Sequence, residues 1–282
     1  MEVDAHSGGI RLPFLRVCGL YKHYVRRGGL WRKRMLIEAV HGIDFEISAG
    51  TTLALVGSSG SGKSTVARCV ARLERPDAGQ IYLGGKDISQ LESHNLREFR
   101  SEMQMIFQDA ATSMNPRFSA AQIIEEPLLI QQRGSRAARR SRVKELMSEV
   151  GLSPNTADRL LMEFSGGQRQ RLAIARALAL QPKLLVLDEA LSGLDLSTEA
   201  QIINLLLELQ AAHSLTYLFI SHDLPLVARL ADTIAVISAG KIVEQGPTAQ
   251  VISNPNHSET KALLASAKTF QKNLADLLGA SG

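Results

Sequence analysis

Nine residues from Gly57 to Thr65 (GSSGSGKST) bring three glycines, five hydroxyls ahead of or behind a lysine, and no bulky side chain together. Gly57, Gly60 and Gly62 let the backbone curl toward a ligand. The N–H groups of this stretch, Ser58, Ser59 and Ser61 included, can then ring phosphate oxygens. Lys63 supplies a point charge for the outer phosphates, and Ser64 offers a hydroxyl to Mg²⁺. Thr65 is the next oxygen along, near the α-phosphate. A tight glycine turn is the bland alternative. An apolar run before the loop (Thr51 to Val56) and a helical pattern after it argue against that.

A second constellation follows far downstream. Leu184-Leu185-Val186-Leu187 reads as a buried strand that ends in Asp188 and Glu189, where ligands bind in open α/β sheets. Asp188 can hold a metal shell, and Glu189 can act as general base on water. Gln108 closes another apolar strand, and its amide can bind metal or water. Alone it would read equally well as a surface glutamine. His222 follows the run ending at Ile220-Ser221. In this company it predicts a hydrogen bond to the outermost phosphate rather than a structural cap.

The stretch Phe164 to Arg171 (FSGGQRQR) adds a further anion site. Ser165 caps a helix whose first residues, Gly166 and Gly167, leave backbone N–H groups outward with the positive end of the helix dipole behind them. Two phosphate-facing helix starts predict a nucleotide gripped from two sides, by two copies of the fold.

The elements that hold these residues alternate strand and helix, which predicts an α/β core with a largely parallel sheet. Strands are expected from Phe14 to Cys18 and Met35 to Ile47, joined by a long hairpin through Arg27 to Leu30. A further strand pair is expected near Gln80 to Leu83 and Met103 to Phe107. From about residue 110 to 164 the pattern turns helical, with Pro116, Pro127 and Pro154 as punctuation. Beyond Val251 comes a helical tail whose Phe270, Leu274, Leu277 and Leu278 share one face, expected to pack on the parent domain.

At 282 residues, 45% hydrophobic and 21% charged, the chain can bury a sizeable core. No apolar run reaches the roughly 18–20 residues that cross a bilayer, and Met1 to Gly9 lacks a signal-peptide layout, so a cytoplasmic location is the default expectation. Cys18 and Cys69 have no metal-ligand neighbours at the usual spacing and read as reduced core residues. A net charge of +4 is weak support for a nucleic-acid partner. Two basic clusters, Arg26 to Arg34 and Arg133 to Lys144, read as solvated faces, with anionic lipid or an acidic partner as the sharper alternative.

In order and approximate spacing, the glycine loop, Gln108, Phe164 to Gln168, the Leu184 to Glu189 strand, Ser192-Gly193-Leu194-Asp195 and His222 resemble ABC transporter ATPase subunits, over about Leu15 to Gly246. The resemblance implies a P-loop NTPase core (RecA-like), with an antiparallel β-subdomain and a helical subdomain at about 110–164. The whole would span residues 11–252, followed by an extension at 253–282. It also implies ATP and Mg²⁺, with Ser64, Gln108 and Asp188 at the metal and Glu189, His222, Gln108 and Lys63 in catalysis. Subunits of this family pair head to tail. Ser165, Gly166, Gly167 and Gln168 would then serve the partner's nucleotide, and Asp195 would cross the interface. Tyr24 would stack on adenine, with Tyr21 as the fallback.

Phe107-Gln108-Asp109, Ser113 to Arg117, Glu125 to Leu128 and Asn254 to His257 further resemble the oligopeptide, dipeptide and nickel importer branch. That branch implies a second ATPase subunit, identical or sibling, two permease chains, an external solute-binding protein, and a place on the cytoplasmic face of the inner membrane. The alternative is an ATPase of a membrane signalling or other non-import complex. A nucleic-acid-associated ATPase is disfavoured, because zinc modules, a long coiled-coil insertion and a second ATPase unit are all lacking. The chain departs from the branch at Ala190, where proline is usual, at Gly193, at Phe164, and at His257-Ser258-Glu259-Thr260. None removes a chemical group. The tail also lacks the cysteine cluster of some dipeptide-type members, which argues against an iron–sulfur site.

Overall fold

The computed structural model describes residues 13–26, 35–92, 95–109 and 112–267. The basic loop from Arg27 to Arg34 and the tail stripe of Phe270, Leu274, Leu277 and Leu278 lie outside them. Strands β1 (Leu15–Arg26) and β2 (Met35–Ile47) pair antiparallel, as the expected hairpin requires. Strand β3 (Thr52–Val56) runs through the glycine loop into helix α1 (Lys63–Val70). Strands β4 (Ala78–Leu83) and β5 (Lys86–Asp87) complete an antiparallel sheet ordered β2-β1-β4-β5. Helix α2 (Leu96–Glu102) leads into β6 (Met103–Ile106). Helices α3 (Ala120–Ile130) and α4 (Arg136–Glu149) form the helical part, and α5 (Gly166–Leu178) packs against both.

The second half alternates β7 (Leu184–Asp188), α6 (Leu196–His213), β8 (Thr216–Ser221), α7 (Leu224–Leu230) and β9 (Thr233–Ser238). Strand β10 (Lys241–Pro247) and helix α8 (Thr248–Ser253) follow. The main sheet is ordered β10-β9-β3-β8-β7-β6; β10 runs antiparallel to β9 and every other pair is parallel.

Both faces of that sheet are covered, and the period-two geometry of a strand divides its side chains between them. Ala54, Val56, Leu185, Leu187, Tyr217, Phe219, Ile234 and Val236 pack with the helices. Their neighbours Leu53, Leu55, Leu184, Val186, Leu218, Ile220, Ala235 and Ile237 pack with α1 and the antiparallel sheet. Burial of each Val, Leu, Ile or Phe among them stabilises by about 1.5–3 kcal/mol. A one-residue slip would exchange the two sets, so the register at the strand ends is tightly specified. That register places the candidate site.

Four details differ from the expectations. The strands near residues 80 and 103 do not pair: β4 belongs to the antiparallel sheet, while β6 lies beside β7 in the parallel one. In β4 only Ile81 and Leu83 are buried, the one-sided pattern of an outer sheet. Strand β1 continues past Cys18 to Arg26 through register shifts after Val17 and after Lys22, and Cys18 is half-buried rather than core. Pro127 does not punctuate; it lies inside α3 on the buried face with Ile123, Ile124 and Leu128, so packing offsets the one helix hydrogen bond it cannot donate. Finally, α1, expected from about Lys63 to Leu73, stops at Val70 because Arg72 turns to a left-handed φ of 52°.

Candidate functional site

Three parallel strands deliver the chemistry to one edge. Val56 at the end of β3 is level with Ser221 at the end of β8, and Asp188 at the end of β7 is level with Ile220. The glycine loop, Asp188-Glu189 and His222 therefore leave the sheet side by side, at the carboxyl ends of the strands.

The loop is tightly seated. Gly62 adopts φ 109°, and a Cβ there would lie 2.3 Å from the Ala39 carbonyl oxygen, so only glycine fits. Lys63 is 4% exposed, and its ammonium donates to the carbonyls of Gly57 at 2.8 Å and Ser58 at 2.9 Å. Burial pushes the Lys63 pKa down, while the nearby Glu189 and Asp188 carboxylates push it back up. Ser61 Oγ, buried in the same loop, has no hydrogen-bond partner among the described residues. A curled cradle with a buried cation and a spare hydroxyl fits the phosphates of a nucleotide.

Ser64 Oγ donates to Asp188 Oδ1 at 2.9 Å. Asp188 is 5% exposed; burial raises its pKa, the Ser64 hydrogen bond lowers it, and the neighbouring Glu189 raises it again. A hydroxyl and a carboxylate in contact are the oxygen donors that suit Mg²⁺, which takes one or two protein ligands and completes its shell with water and phosphate. Among the described residues no cluster of three or more His, Cys, Asp or Glu could hold a metal, so a cage built from protein alone is not what this edge provides.

Glu189 has a left-handed backbone, φ 47°. Its N–H donates to Ile220 O at 3.0 Å, and its carbonyl accepts from Ser192 N at 3.0 Å and Ser192 Oγ at 2.8 Å. Those bonds hold a conformation that costs about 1–3 kcal/mol in a non-glycine residue. They fix where the carboxylate points. His222 Nδ1 lies 3.6 Å from Glu189 Oε1, and both line a cleft of about 150 Å³ with Ser192, Gly193 and Phe219.

Gln108 follows β6, whose Ile106 is level with Leu187, and so emerges beside Glu189. It lines an adjoining cleft of about 500 Å³ with Gly166, Gln170 and Gly193. Ser165 and Gln168 cap α5 reciprocally: Ser165 Oγ accepts from Gln168 N at 3.3 Å, and Gln168 Oε1 accepts from Ser165 N at 3.0 Å. Both are exposed. Asp195, also exposed, caps α6 by accepting from Thr198 N at 2.9 Å and Thr198 Oγ1 at 2.7 Å, which holds its carboxyl below the ordinary range.

Of the two tyrosines, Tyr24 is the one beside the loop. Its hydroxyl bonds to Glu74, and the Thr65 hydroxyl also bears on it. Burial and then Glu74 raise the phenol's pKa. Lys22 Nζ stands 5.8 Å from the ring centroid. Tyr21 instead meets His41 edge-on at 5.2 Å. Glu74 is 50 residues from Tyr24, and no local pattern announces it. Ser192 falls within a motif that the sequence shows, Thr198 was not singled out, and the bonds of neither were visible. On α4, Arg139 pairs with Glu125 at 2.8 Å and Arg142 with Glu145 at 3.5 Å, while Arg136, Arg140 and Lys144 face solvent; this is the bland reading of that cluster.

A sequence model for the family described as ABC transporter matches residues 40–192. The chain is 42% identical to the dipeptide transport ATP-binding protein DppF of Haemophilus influenzae, over 93% of this chain and 80% of that protein. It is 45% identical to the oligopeptide transport ATP-binding protein AppF of Bacillus subtilis, over 89% of this chain and 77% of that one. In fold it is similar to the ATP-binding cassette MJ0796, solved as a dimer in a post-hydrolysis state bound to ADP and Pi. That match has a TM-score of 0.74 at 27% identity and covers 83% of this chain and 98% of that one.

Proposed function

Because the chain belongs to the ABC transporter family, we propose that it is the ATP-hydrolysing subunit of an importer for peptides. Dipeptides or oligopeptides come first and nickel second. The observation that carries the ATPase chemistry is the Ser64–Asp188 contact at 2.9 Å, at the mouth of the glycine loop and next to Glu189. No helix among the described residues is long and apolar enough to cross a membrane. In this reading two permease chains provide the path, a solute-binding protein delivers the cargo, and a second ATPase subunit completes the pair. The subunit would sit on the cytoplasmic face of the inner membrane.

Residues 57–65 hold the phosphates, with Lys63 leaving its carbonyl contacts to meet them. Ser64 and Asp188, joined by Gln108, would hold Mg²⁺. The metal, when bound, would neutralise charge on the phosphate oxygens. Glu189 orients water and takes its proton. His222, 3.6 Å from Glu189, contacts the outermost phosphate and steadies that carboxylate. Tyr24 carries the adenine ring on its half-exposed face. Ser165, Gly166, Gly167 and Gln168 address the nucleotide of the partner subunit, and Asp195 reaches across between the two sites.

Replacing Glu189 with Gln keeps the hydrogen-bonding shape and removes the base. ATP binding should persist, turnover should fall by about 10²-fold or more, and a nucleotide-held dimer should accumulate in light scattering. Steady-state turnover equal to wild type would overturn the assignment.

A further inference from the structure

The tail segment Asn254-Pro255-Asn256-His257-Ser258-Glu259-Thr260 has no part in the site as built so far, yet it is bonded to the sheet at one point. Glu244, on β10, accepts from Asn256 N at 2.8 Å and His257 N at 3.0 Å, and from the Thr260 hydroxyl. A register shift between Ile242 and Glu244 in the β9–β10 ladder re-aims the strand there. Residues 258–267 are helical, and their first turn closes through Lys261 N to His257 O at 3.1 Å. His257 Nδ1 also accepts from Glu259 N at 3.2 Å, so the histidine caps the helix it opens. Glu244 thus takes N–H groups just ahead of the helix and a hydroxyl in its first turn, where a carboxylate is favoured by unpaired donors and by the dipole.

The clamp fixes more than the tail. Thr260 is 2% exposed. Leu263 and Leu264 press on Val56, Leu224, Ile234, Val236 and Val251, leaving a gap of only about 10 Å³. That is too small for a water to be held with partners, so the seam is dry packing. On the same helix, Leu263, Ser266 and Ala267 form one wall of a cleft of about 260 Å³ whose other wall is His222, Asp223, Leu224 and Pro225. Asp223 caps α7 by accepting from Leu226 N at 3.3 Å, so the turn carrying His222 is held between the end of β8 and a helix start that faces the tail.

We propose that Glu244 is a positioning residue for ATP hydrolysis: by clamping the start of the tail helix it holds the wall against which the His222 turn is set. The inference rests on His222 acting at the phosphate end of the site. Glu244 is bonded to Asn256, His257 and Thr260 and acts through the 258–267 helix they lead into. Its loss loosens the His222 turn more than the glycine loop, which the tail helix reaches through Val56 and whose hold on phosphate comes from its own N–H groups and Lys63.

The test uses the purified full-length chain with Mg²⁺ and ATP, comparing Glu244→Ala, Thr260→Ala, Thr260→Ser and His222→Gln. For each, kcat, the KM for ATP, the affinity for a fluorescent ATP analogue and the melting midpoint are measured. Glu244→Ala should lower kcat roughly fivefold, the loss of about one hydrogen bond's worth of positioning, with KM and analogue affinity within about twofold of wild type. Thr260→Ala should fall partway and Thr260→Ser should match wild type, because the hydroxyl returns. Should Glu244→Ala fail to fold, the Thr260 pair carries the test. Wild-type kcat in folded Glu244→Ala and Thr260→Ala, beside an inactive His222→Gln, would overturn the clamp and leave the assignment of His222 intact. Wild-type turnover in His222→Gln would instead overturn that assignment, and the clamp's route to hydrolysis with it. A loss of kcat matched by an equal loss of analogue binding would reduce Glu244 to a stabilising residue and overturn the inference.

Discussion

Gly167 has a reason to be glycine that lies within its own chain. A Cβ at that position would stand 2.4 Å from Thr198 Cγ2 on α6, where carbon atoms in contact prefer about 3.5–4.0 Å. Thr198 cannot simply rotate away, because its N–H and hydroxyl both bond to Asp195. Gly167→Ala must therefore push α5 and α6 apart by about 1 Å, or break the Thr198–Asp195 contact. Overpacking of this kind costs about 1–3 kcal/mol, and the lost hydrogen bond about 1 kcal/mol. A urea unfolding series should show Gly167→Ala destabilised by about 1–3 kcal/mol. Gly166→Ala should be neutral or slightly stabilised, since its Cβ would meet only Leu194 Cδ2, at an ordinary 3.8 Å. Adding Thr198→Ser to Gly167→Ala deletes the offending methyl, keeps the hydroxyl, and should restore stability to within about 0.5 kcal/mol of the Thr198→Ser single variant. If the glycine also lets a phosphate approach the backbone, turnover will stay low in the double variant although stability returns. Wild-type stability in Gly167→Ala, or no recovery in the double variant, would refute the packing argument.

Cys69 is fully buried and its thiol is pushed up to about 12, by burial first and then by the Glu74 carboxylate, so a thiol reagent at pH 8 should find Cys18 and miss Cys69 until urea is added; two fast equivalents from the native protein would contradict this. For Asp77, burial pushes the carboxyl up, but the His23 N–H and the Lys22 ammonium outweigh it and hold the group below the ordinary carboxylate range. A depressed folded-state pKa contributes stability above the unfolded value of about 3.9 and loses it as pH falls through the folded value. Urea midpoints measured between about pH 5 and pH 3 should therefore fall less steeply for Asp77→Asn than for wild type, and parallel slopes would sink the assignment.

The parts of the site that could be read in the sequence are those that chemistry compresses into one short segment. A loop that must wrap phosphate needs Gly57, Gly60, Gly62 and Lys63 in a fixed order. A buried strand that must end in Asp188 and Glu189 announces itself by its apolar run. Pairing is different. Gln80 to Leu83 and Met103 to Ile106 are both apolar enough to be strands, but nothing within either states its neighbour, and the two belong to different sheets. Pro127 misled for a related reason: its effect depends on whether a buried face compensates for it, which is a property of α3 in place. The contacts that hold functional groups were the least visible. Glu74 reaches Tyr24 across 50 residues; Ser64 and Asp188, 124 residues apart, are brought together as the resemblance implied. Glu244 holds Thr260 from 16 residues away through a strand, a turn and a short helix.

The start of α5 bears on the proposal that the chain works as a pair. Of the N–H groups there, that of Gln168 is taken by Ser165 Oγ, that of Arg169 by Ser165 O at 2.8 Å, and that of Ser165 itself by the Gln168 side chain. Among the described residues, the N–H groups of Gly166 and Gly167 have no partner. They are borne by the two residues with no side chain to keep an anion away. Because Ser165 Oγ accepts from Gln168, its own proton is free to point outward beside them. Capping therefore does not use up the helix start. It organises three donors, two N–H groups and one hydroxyl, on an exposed surface with the dipole behind them. The glycine loop holds its own cation, Lys63, buried among the carbonyls of Gly57 and Ser58, while this second set of donors lies on an exposed helix start. A phosphate bound by the loop of one chain and met by the α5 donors of another would satisfy both sets, as the proposed pairing requires.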